Sequence, residues 1–404
     1  MKALVLAGGY PQIALIKDLK KRGYTVLLAD WGENPPARQY ADKFYQESTL
    51  DIEAIETIAR AENVDLLITV CTDQALHTVA TLSERLNLPC YVSSQLGRDV
   101  TNKRYMKSVL QKANIPTAKH MLCKAGEKLP TDFVFPMVVK PVDANSSKGV
   151  VKVHSLTELQ EAVVAAQKIS RTDDAIIEEF VQGRELTIDA FVQNGKATLL
   201  CVSEIQKIPS ETNFVICRTI LPPILSAVVE NKIKQVIQQI ADAFSLKNCP
   251  LLVQLLNRDD DIYVVEFSAR TGGGEKYKSI KAYTCVDIIG ATVDVSLGIQ
   301  PEIQPQRSEK KYLTEFLYCH EGTIDAYLGF EEAQKAGWVD NYELFKKSGD
   351  EIHNASSSSD RAAAVMFVAD SYEQLMMNYQ KTMALLQIRN IHGNDIMRHD
   401  ITIH

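Results

Sequence analysis

The sequence predicts an α/β unit at the amino terminus and α+β structure after it. Lys2–Ala7 is an apolar run typical of a buried strand, and a glycine pair, a helical stretch and a second strand, Thr25–Asp30, follow it. Val64–Val70 repeats the strand pattern before another helical stretch, Gln74–Leu86. Strands that alternate with helices in this way form parallel sheets. We therefore predict that residues 1–95 form a small doubly wound parallel sheet.

The composition argues against several classes of protein. Of the 404 residues, 46% are hydrophobic and 24% are charged, and no apolar run reaches the roughly 20 residues that a membrane crossing needs. The net charge of −7 argues against a general nucleic-acid binder. The eight cysteines form no CxxC pair, so we interpret them as reduced core residues. We expect a cytoplasmic protein with no membrane or nucleic-acid partner.

A ligand-binding edge is predicted where the N-terminal strands end. Gly9, Tyr10 and Asp73 follow closely on strand-like runs, and open α/β sheets bind ligands at the carboxyl ends of their strands. The glycine pair lacks the GxGxxG spacing of a dinucleotide site, and the chain contains no GxxxxGKS or GxxxxGKT loop. We therefore predict substrate contacts at these three residues rather than a nicotinamide or flavin site.

The chain changes character near Pro116. Residues 96–115 indicate a connecting helical segment, and the strand-like runs after it are short. Pro136–Pro141 and its predicted partner, Val150–His154, are joined by a small, polar loop, Asp143–Gly149. Backbone N–H groups and hydroxyls on such a loop can bind a triphosphate. A surface hairpin loop has the same composition and is the alternative interpretation.

A second nucleotide contact is predicted between two strand-like runs, Ala175–Phe180 and Leu186–Val192, which flank an acidic turn. An exposed strand edge can bind a base through its backbone groups, and a carboxylate such as Glu185 can accept hydrogen bonds from ribose hydroxyls. A solvated acidic turn is the alternative here.

The run Ile262–Gly274 has the strongest chemical signature, because Glu266, Ser268 and Arg270 occupy alternate positions before three glycines. Alternate strand residues project to the same face. The preceding apolar run and a turn rich in aspartate predict a hairpin, and a symmetric turn puts Gln254 opposite Glu266. Glu266 with Gln254 and Ser268 can hold Mg²⁺, and Arg270 can neutralise a transferring phosphoryl group. An ordinary hairpin that ends in a glycine turn is the alternative.

In order and spacing, these residues resemble the ATP-grasp superfamily over residues 1 to about 300. The set consists of Lys103, Lys140, the 143–149 loop, Glu178 to Val181, Glu185, Gln254, Glu266 and Arg270. The resemblance implies an ATP-grasp fold, in which a doubly wound parallel-sheet domain precedes a small lid domain and a central antiparallel-sheet domain, with ATP between the last two. It places the lid at 116–186, the central domain at 187–302 and a C-terminal α+β cap at 303–404.

The resemblance also implies a role for each position. Lys103 and Lys140 are implied to contact the phosphates of ATP, and Glu185 to bind its ribose. The implied flap over the phosphates contains Ser146, Ser147, Lys148 and Gly149. The implied adenine-binding hinge consists of Glu178, Glu179, Phe180 and Val181. The implied ligands for Mg²⁺ or Mn²⁺ are Gln254, Glu266 and Ser268, and the implied catalytic groups are Arg270, Lys148 and Gly273. Gln254 stands where glutamate is more usual, but carbamoyl phosphate synthetase domains resemble this chain in having glutamine there. Ser268 replaces the usual asparagine.

The activity that the resemblance implies is carboxylate–amine ligation. A carboxylate attacks the γ-phosphate of ATP, and an amine captures the resulting acylphosphate, so that ADP and phosphate are released. Arg218, Lys276 and Tyr277 are candidates to hold a substrate carboxylate, with ordinary surface or packing roles as the alternative. The resemblance suggests a homodimer that acts on small molecules. A bicarbonate-dependent carboxylase or carbamoyl-phosphate-like enzyme, and a non-catalytic ATP-binding regulator, remain open.

Overall fold

The computed structural model describes residues 1–127, 129, 133–144, 148–209, 214–355 and 357–401. These residues form an N-terminal parallel sheet, a lid sheet, a long central sheet and a small C-terminal sheet, with helices packed against them. No helix within the described ranges combines the length and the apolar character that a membrane crossing requires.

The N-terminal sheet is parallel and buried on both faces. Its strands are β1 (Lys2–Leu6), β2 (Thr25–Asp30), β3 (Lys43–Gln46) and β4 (Leu66–Ile68), in the order β3-β2-β1-β4. The helices around it are α1 (Tyr10–Lys21), α2 (Ile52–Glu62) and α3 (Asp73–Leu86). Ala3 and Val5 pack into one core, and Leu4 and Leu6 into another on the opposite face. The predicted doubly wound sheet is confirmed.

Two short helices, α4 (Ser94–Asp99) and α5 (Lys103–Lys112), lead from this sheet to the lid. The lid sheet contains β5 (His120–Cys123), β6 (Met137–Pro141), β7 (Val151–Val153) and β8 (Ala175–Glu179), in the antiparallel order β5-β8-β6-β7. Helix α6 (Leu156–Ile169) covers it through Leu159, Val163 and Ala166. The predicted pairing of the Lys140 strand with the strand after the polar loop is present.

The central sheet is antiparallel. Its strands are β9 (Arg184–Gln193), β10 (Lys196–Lys207), β11 (Ile216–Leu221), β12 (Cys249–Arg258), β13 (Asp261–Ser268), β14 (Lys311–Leu317), β16 (Asn341–Leu344) and β18 (Ala363–Ala369). Their order is β13-β12-β9-β10-β11-β14-β18-β16. Strands β12 and β13 form the predicted hairpin, and their register pairs Gln254 with Glu266. The helices packed beside the sheet include α7 (Ala227–Ala243), α8 (Lys276–Thr284) and α9 (Ile288–Ser296).

The C-terminal stretch adds strands to the central sheet. Strands β14, β16 and β18 continue the central sheet, so the predicted boundary near residue 303 does not divide two sheets. The rest of this stretch forms a small sheet of β15 (Gly322–Leu328), β17 (Glu351–Ile352) and β19 (Gln387–Asn390), with helices α10 (Phe330–Lys335) and α11 (Tyr372–Leu385). The domain boundaries stay predictions.

Candidate active site

A cavity of about 580 Å³ lies between the lid sheet and the central sheet. Helices α3 and α5, the β12–β13 hairpin, the glycine run and the C-terminal strands complete its walls. The predicted site residues that line it are Asp73, Lys103, Lys140, Glu178, Glu179, Phe180, Val181, Glu185, Gln254, Glu266, Arg270, Gly273 and Lys276. The fold therefore brings together residues that lie far apart in the sequence.

Helix α5 carries two lysines on one face, and the first of them, Lys103, lines this cavity. The Asn102 side chain accepts hydrogen bonds from two backbone N–H groups of the first turn, so the helix begins at Lys103. Lys103 and Lys107 are one turn apart and share a face. The Lys103 ammonium donates to the carbonyl of Ala144 at 2.7 Å and lies 3.5 Å from a Glu266 carboxylate oxygen.

The Glu178 carboxylate lies between two buried lysines. Its Oε2 is 2.7 Å from the Lys140 ammonium, and its Oε1 is 3.1 Å from that of Lys107. Burial by itself raises the pKa of the Glu178 carboxyl, but the two ammonium groups more than offset it and lower the pKa to about 2. This side chain therefore holds the lysines. Sequence reasoning missed Lys107, although its spacing of one helical turn from Lys103 is a signal that finds it.

Backbone hydrogen bonds fix the path of the predicted hinge. The Glu179 N–H donates to the carbonyl of Lys119 at 2.9 Å, and the Phe180 N–H donates to that of Pro136 at 3.1 Å. The Lys152 ammonium lies 4.3 Å from the centre of the Phe180 ring. These contacts hold the segment through Val181 against the cavity.

The predicted ribose-binding carboxylate, Glu185, forms an ion pair with Lys207. Both residues line the cavity, and the Lys207 ammonium lies 4.9 Å from the centre of the Phe214 ring. Sequence reasoning also missed Lys207. It lies two residues beyond Ile205, which is the cross-strand partner of Glu185, so only the β9–β10 register reveals its position.

Arg270 makes a bidentate ion pair with Asp73 at the start of α3. Arg270 Nε and Nη2 donate to the two Asp73 oxygens at 2.8 and 2.5 Å, and Nη1 donates to the carbonyl of Thr271 at 2.9 Å. The Ser268 hydroxyl donates to Asp73 at 2.5 Å. Burial raises the pKa of the Asp73 carboxyl, but Arg270 and Ser268 lower it further than burial raises it. Asp73, predicted to contact substrate, therefore holds the side chains of Ser268 and Arg270.

The predicted metal ligands differ in what their oxygens contact. Gln254 and Glu266 face each other across the hairpin and both line the cavity. An amide oxygen and a carboxylate in adjacent positions fit a hard divalent cation. Ser268 is buried and its hydroxyl donates to Asp73, so this geometry does not favour it as a ligand. The described residues contain no cluster of three or more His, Cys, Asp or Glu side chains that suits a metal ion.

The candidates for substrate binding separate into two groups. Lys276 lines the cavity, and its ammonium donates to Asp189 at 3.1 Å and to Ser203 at 3.0 Å. Tyr277 is not among the described residues that line the cavity. Arg218 is buried, donates to both carboxylate oxygens of Glu315 at 2.5 and 2.9 Å, and lies outside the described lining. Arg218 therefore fastens β11 to β14 instead of binding a substrate.

Protein groups fill the space beside Gly8 and Gly9, where a ligand-binding edge of the N-terminal sheet was predicted. The Gly8 N–H donates to Asp30 at 2.7 Å, and a Cβ added at Gly8 would lie 2.6 Å from Pro35. The Tyr10 hydroxyl donates to the carbonyl of Leu344 at 3.0 Å, so this edge contacts the C-terminal strands. Neither Gly9 nor Tyr10 belongs to the described cavity lining. The substrate contacts predicted there lack support from the structure.

The predicted flap is described only in part. Ser146 and Ser147 lie outside the described residues. Lys148 is exposed and does not belong to the described lining. Gly149 has φ +72°, and an added Cβ would lie 2.6 Å from Ile169, so a side chain at this position would be both strained and crowded.

Comparison with known proteins agrees with this geometry. A family model of the ATP-grasp domain matches residues 133–278, which contain Lys140, the predicted hinge and the β12–β13 hairpin. Residues 133–278 of this chain are an ATP-grasp domain. A second family model, of the L-amino acid ligase C-terminal domain 2, matches residues 315–390 of this ATP-grasp chain.

Individual relatives extend the similarity across most of this ATP-grasp protein. The formate-dependent phosphoribosylglycinamide formyltransferase of Shewanella frigidimarina is 28% identical over 67% of the chain and 68% of the relative. The L-arginine-specific L-amino acid ligase of Bacillus subtilis is 21% identical over 68% of each protein. The crystal structure of L-amino acid ligase from Bacillus licheniformis superposes with a TM-score of 0.81 at 21% identity, covering 96% of this chain and 98% of its own. At that identity the structural likeness shows the shared fold.

We expect Glu178→Gln to lower the free energy of unfolding of this ATP-grasp protein by about 3 kcal/mol at pH 7, because two buried lysines lose their counter-charge. The pKa of Glu178 in the folded protein is about 2, below its ordinary value of 4.5. The stabilisation by the ionised carboxylate is therefore complete above pH 4.5 and is lost as the pH falls towards 2. Urea unfolding at pH 7 and pH 4 measures both effects, and the difference between wild type and variant should shrink at pH 4.

The matched control is Glu161→Gln, on the exposed face of α6 in the same lid. Its effect should stay within about 0.5 kcal/mol at both pH values. A Glu178 variant as stable as this control would contradict the assignment of Glu178 as the counter-charge of the two lysines.

Proposed function

We propose that this protein is an ATP-dependent ligase that joins a carboxylate to an amine through an acylphosphate and releases ADP and phosphate. The observation that carries the proposal is the convergence of Arg270, Lys103 and Lys140 on one cavity that Glu266 also lines. Phosphoryl transfer needs fixed positive charge around the transferring group more than it needs a covalent nucleophile. The relatives support the reaction class, because their names describe a formate-dependent formyltransferase and an amino acid ligase.

In the first step, a carboxylate oxygen of the substrate attacks the γ-phosphorus of ATP, and the bond to the β–γ bridging oxygen breaks. Lys103 and Lys140 offset the negative charge of the phosphates. Arg270 uses three of its N–H donors on Asp73 and Thr271, which leaves one N–H on each terminal nitrogen for a phosphoryl oxygen. A guanidinium held in place by Asp73 needs little reorganisation when charge moves onto the phosphoryl group.

The hairpin supplies the residues that would hold Mg²⁺. Gln254 and Glu266 are cross-strand partners that both line the cavity, and Glu266 lies 3.5 Å from the Lys103 ammonium. The ion would contribute positive charge against the ATP phosphates when it is bound. We leave Ser268 out of the proposed ligand set, because its hydroxyl is hydrogen-bonded to Asp73.

In the second step, the amine attacks the carbonyl carbon of the acylphosphate, a C–N bond forms and phosphate leaves. The cavity continues past the glycine run to two cations, Lys276 and Arg361. The Arg361 guanidinium stacks on the Phe316 ring at 3.6 Å, and its Nε donates to the Tyr318 hydroxyl at 3.1 Å. Fixed cations beside the reaction centre favour substrates that carry a carboxylate, and amino acids are the simplest molecules with both required groups.

We expect release of ADP and phosphate from Mg·ATP to depend on the presence of both a carboxylate and an amine. The assay is a panel of amino acids, singly and in pairs, with formate and bicarbonate added as separate carboxylates. Mass spectrometry should find a product equal in mass to both substrates minus water. Release with bicarbonate and no amine would favour a carboxylase, and ATP binding without turnover on the whole panel would contradict the ligase proposal.

We expect Arg270→Ala to lower the turnover number at least about 100-fold, because it removes a fixed charge from the transferring phosphoryl group. The affinity for ATP should change far less, since Lys103 and Lys140 remain. Steady-state ADP release and calorimetric titration with ATP separate the two quantities.

Two control variants complete this experiment. Asp73→Asn combined with Arg270→Ala removes the carboxylate that the single variant leaves unpaired, and should be equally slow. Arg60→Ala changes an arginine that is 61% exposed on α2, and should keep full turnover. Turnover in Arg270→Ala equal to that in Arg60→Ala would remove Arg270 from the mechanism.

A further inference from the structure

Arg361 brings a guanidinium group to the cavity beside the glycine run. It lies two residues before β18, is partly buried and lines the cavity together with Gly274. A Cβ built at Gly274 would lie 3.6 Å from Arg361 Nη1, so this nitrogen is next to the third glycine of the run. The run follows Arg270 and Thr271 along the chain. Arg361 therefore lies beside the segment that leads away from the proposed phosphoryl site.

Protein contacts hold this guanidinium in place without using all of its donors. Its central carbon lies 3.6 Å from the centre of the Phe316 ring, and its Nε donates to the Tyr318 hydroxyl at 3.1 Å. Nη2 donates to the carbonyl of Ile216 at 3.5 Å, and Nη1 has no acceptor among the described residues. A side chain fixed in this way loses little further freedom when it binds an anion.

Arg361 differs from the other cations of the cavity in having no counter-charge. Each of the others in the described lining forms an ion pair with a carboxylate. The pairs are Lys103 with Glu266, Lys140 with Glu178, Arg184 with Glu204, Lys207 with Glu185, Arg270 with Asp73, and Lys276 with Asp189. Within the described residues, Arg361 contacts neutral groups instead. An arginine without a carboxylate partner in a partly dry cavity is suited to bind an anionic group of a ligand.

The charges around Arg361 favour a carboxylate over a phosphate as that anion. Glu275 is close enough for Arg361 to lower its pKa, but its carboxylate pairs with Lys278 at 2.5 Å. Lys276 is neutralised by Asp189. One guanidinium without a second free cation matches the single negative charge of a carboxylate better than the double charge of a phosphate.

The reaction itself decides which substrate supplies this carboxylate. The carboxylate of the first substrate becomes the acylphosphate at Arg270, so it cannot pair with Arg361 at the same time. A carboxylate on the amine substrate takes no part in bond making and is unchanged in the product. Arg361 can hold such a group throughout the second step.

We propose that Arg361 binds the carboxylate of the amine substrate and thereby selects amino acids over simple amines. The inference rests on the ligase function proposed above. The terminal nitrogens of Arg361 donate to the carboxylate oxygens, and the amino group of the same molecule lies beside the glycine run, where it meets the acyl carbon. Arg361 is thus a specificity-determining residue for the second substrate.

The test measures how strongly an amino acid is preferred over its carboxamide as the amine. Glycine, alanine and leucine and their carboxamides are offered as amines, with each of the twenty standard amino acids in turn as the carboxylate. A carboxamide keeps the amino group but has no negative charge. We expect wild type to use the acids with the higher kcat/KM, and Arg361→Gln to lower the acid-to-amide ratio at least about tenfold, because a charge-assisted hydrogen bond is lost.

Mass spectrometry identifies each product, and comparing one ratio between wild type and variant cancels the different basicities of the two amines. Arg389→Gln changes an exposed arginine outside the described lining and should keep the wild-type ratio. If Arg361→Gln makes no product, Arg361→Lys carries the test. It keeps the charge without the planar donors, so its ratio should fall at least about threefold.

Several outcomes would overturn the role of Arg361. They are a wild-type protein without preference for the acids, an unchanged ratio in the variant that carries the test, and a preference of the wild type for O-phosphoethanolamine over the acids. A loss confined to aspartate and glutamate as the carboxylate substrate would assign Arg361 to the first substrate and overturn it as well. Absence of product from every amine with the wild-type protein would instead overturn the ligase function and the inference with it.

Discussion

Charge compensation in a partly dry cavity is the constraint on which the rest of the site depends. The charged side chains expected to meet ATP are paired with opposite charges, in the pairs Lys103 with Glu266, Lys140 with Glu178, Glu185 with Lys207, and Arg270 with Asp73. An unpaired charge removed from water costs several kcal/mol, so these groups coexist only as pairs. Ligand binding must therefore replace or extend these pairs.

The pairs differ in how easily they can be replaced. Glu178 is 5% exposed and has a lysine at each oxygen, so removing either lysine would leave one of its oxygens without a cation. Glu266 is 37% exposed, and its pair with Lys103 is longer, at 3.5 Å. A metal ion and a phosphate can separate this second pair at little cost, because both partners would gain a new counter-charge. Glu178 therefore stays paired with Lys140, while Glu266 and Lys103 can exchange each other for a metal ion and a phosphate.

The sequence predicts best where one short segment determines the geometry. The predicted pairing of Gln254 with Glu266 is present, although it depends on a β-bulge between Gln254 and Leu255 and not on the symmetric turn that the prediction assumed. Glu266 and Arg270 both line the cavity, as strand alternation predicted. The partners of these residues were harder to find, because contacts between distant segments leave no local pattern. Arg270 and Asp73 are 197 positions apart. The same cause explains why Arg218 was predicted to bind a substrate. Only the pairing of β11 with β14 shows that Glu315 neutralises its charge.

The N-terminal sheet shows why a general rule about strand ends was right at one position and unsupported at another. Asp30 at the end of β2 and Pro35 in the loop after it fill the space beyond β1, so no ligand can approach Gly8 closely. The end of β4 is different, because α3 begins there at Asp73 and points its first carboxylate at Arg270 and Ser268. The sheet thus contributes one carboxylate that orients Arg270, the arginine proposed to bind the phosphoryl group, instead of a ligand pocket of its own. A carboxylate anchored at the start of a helix in a rigid parallel sheet moves little, which suits a residue whose task is to hold another in position.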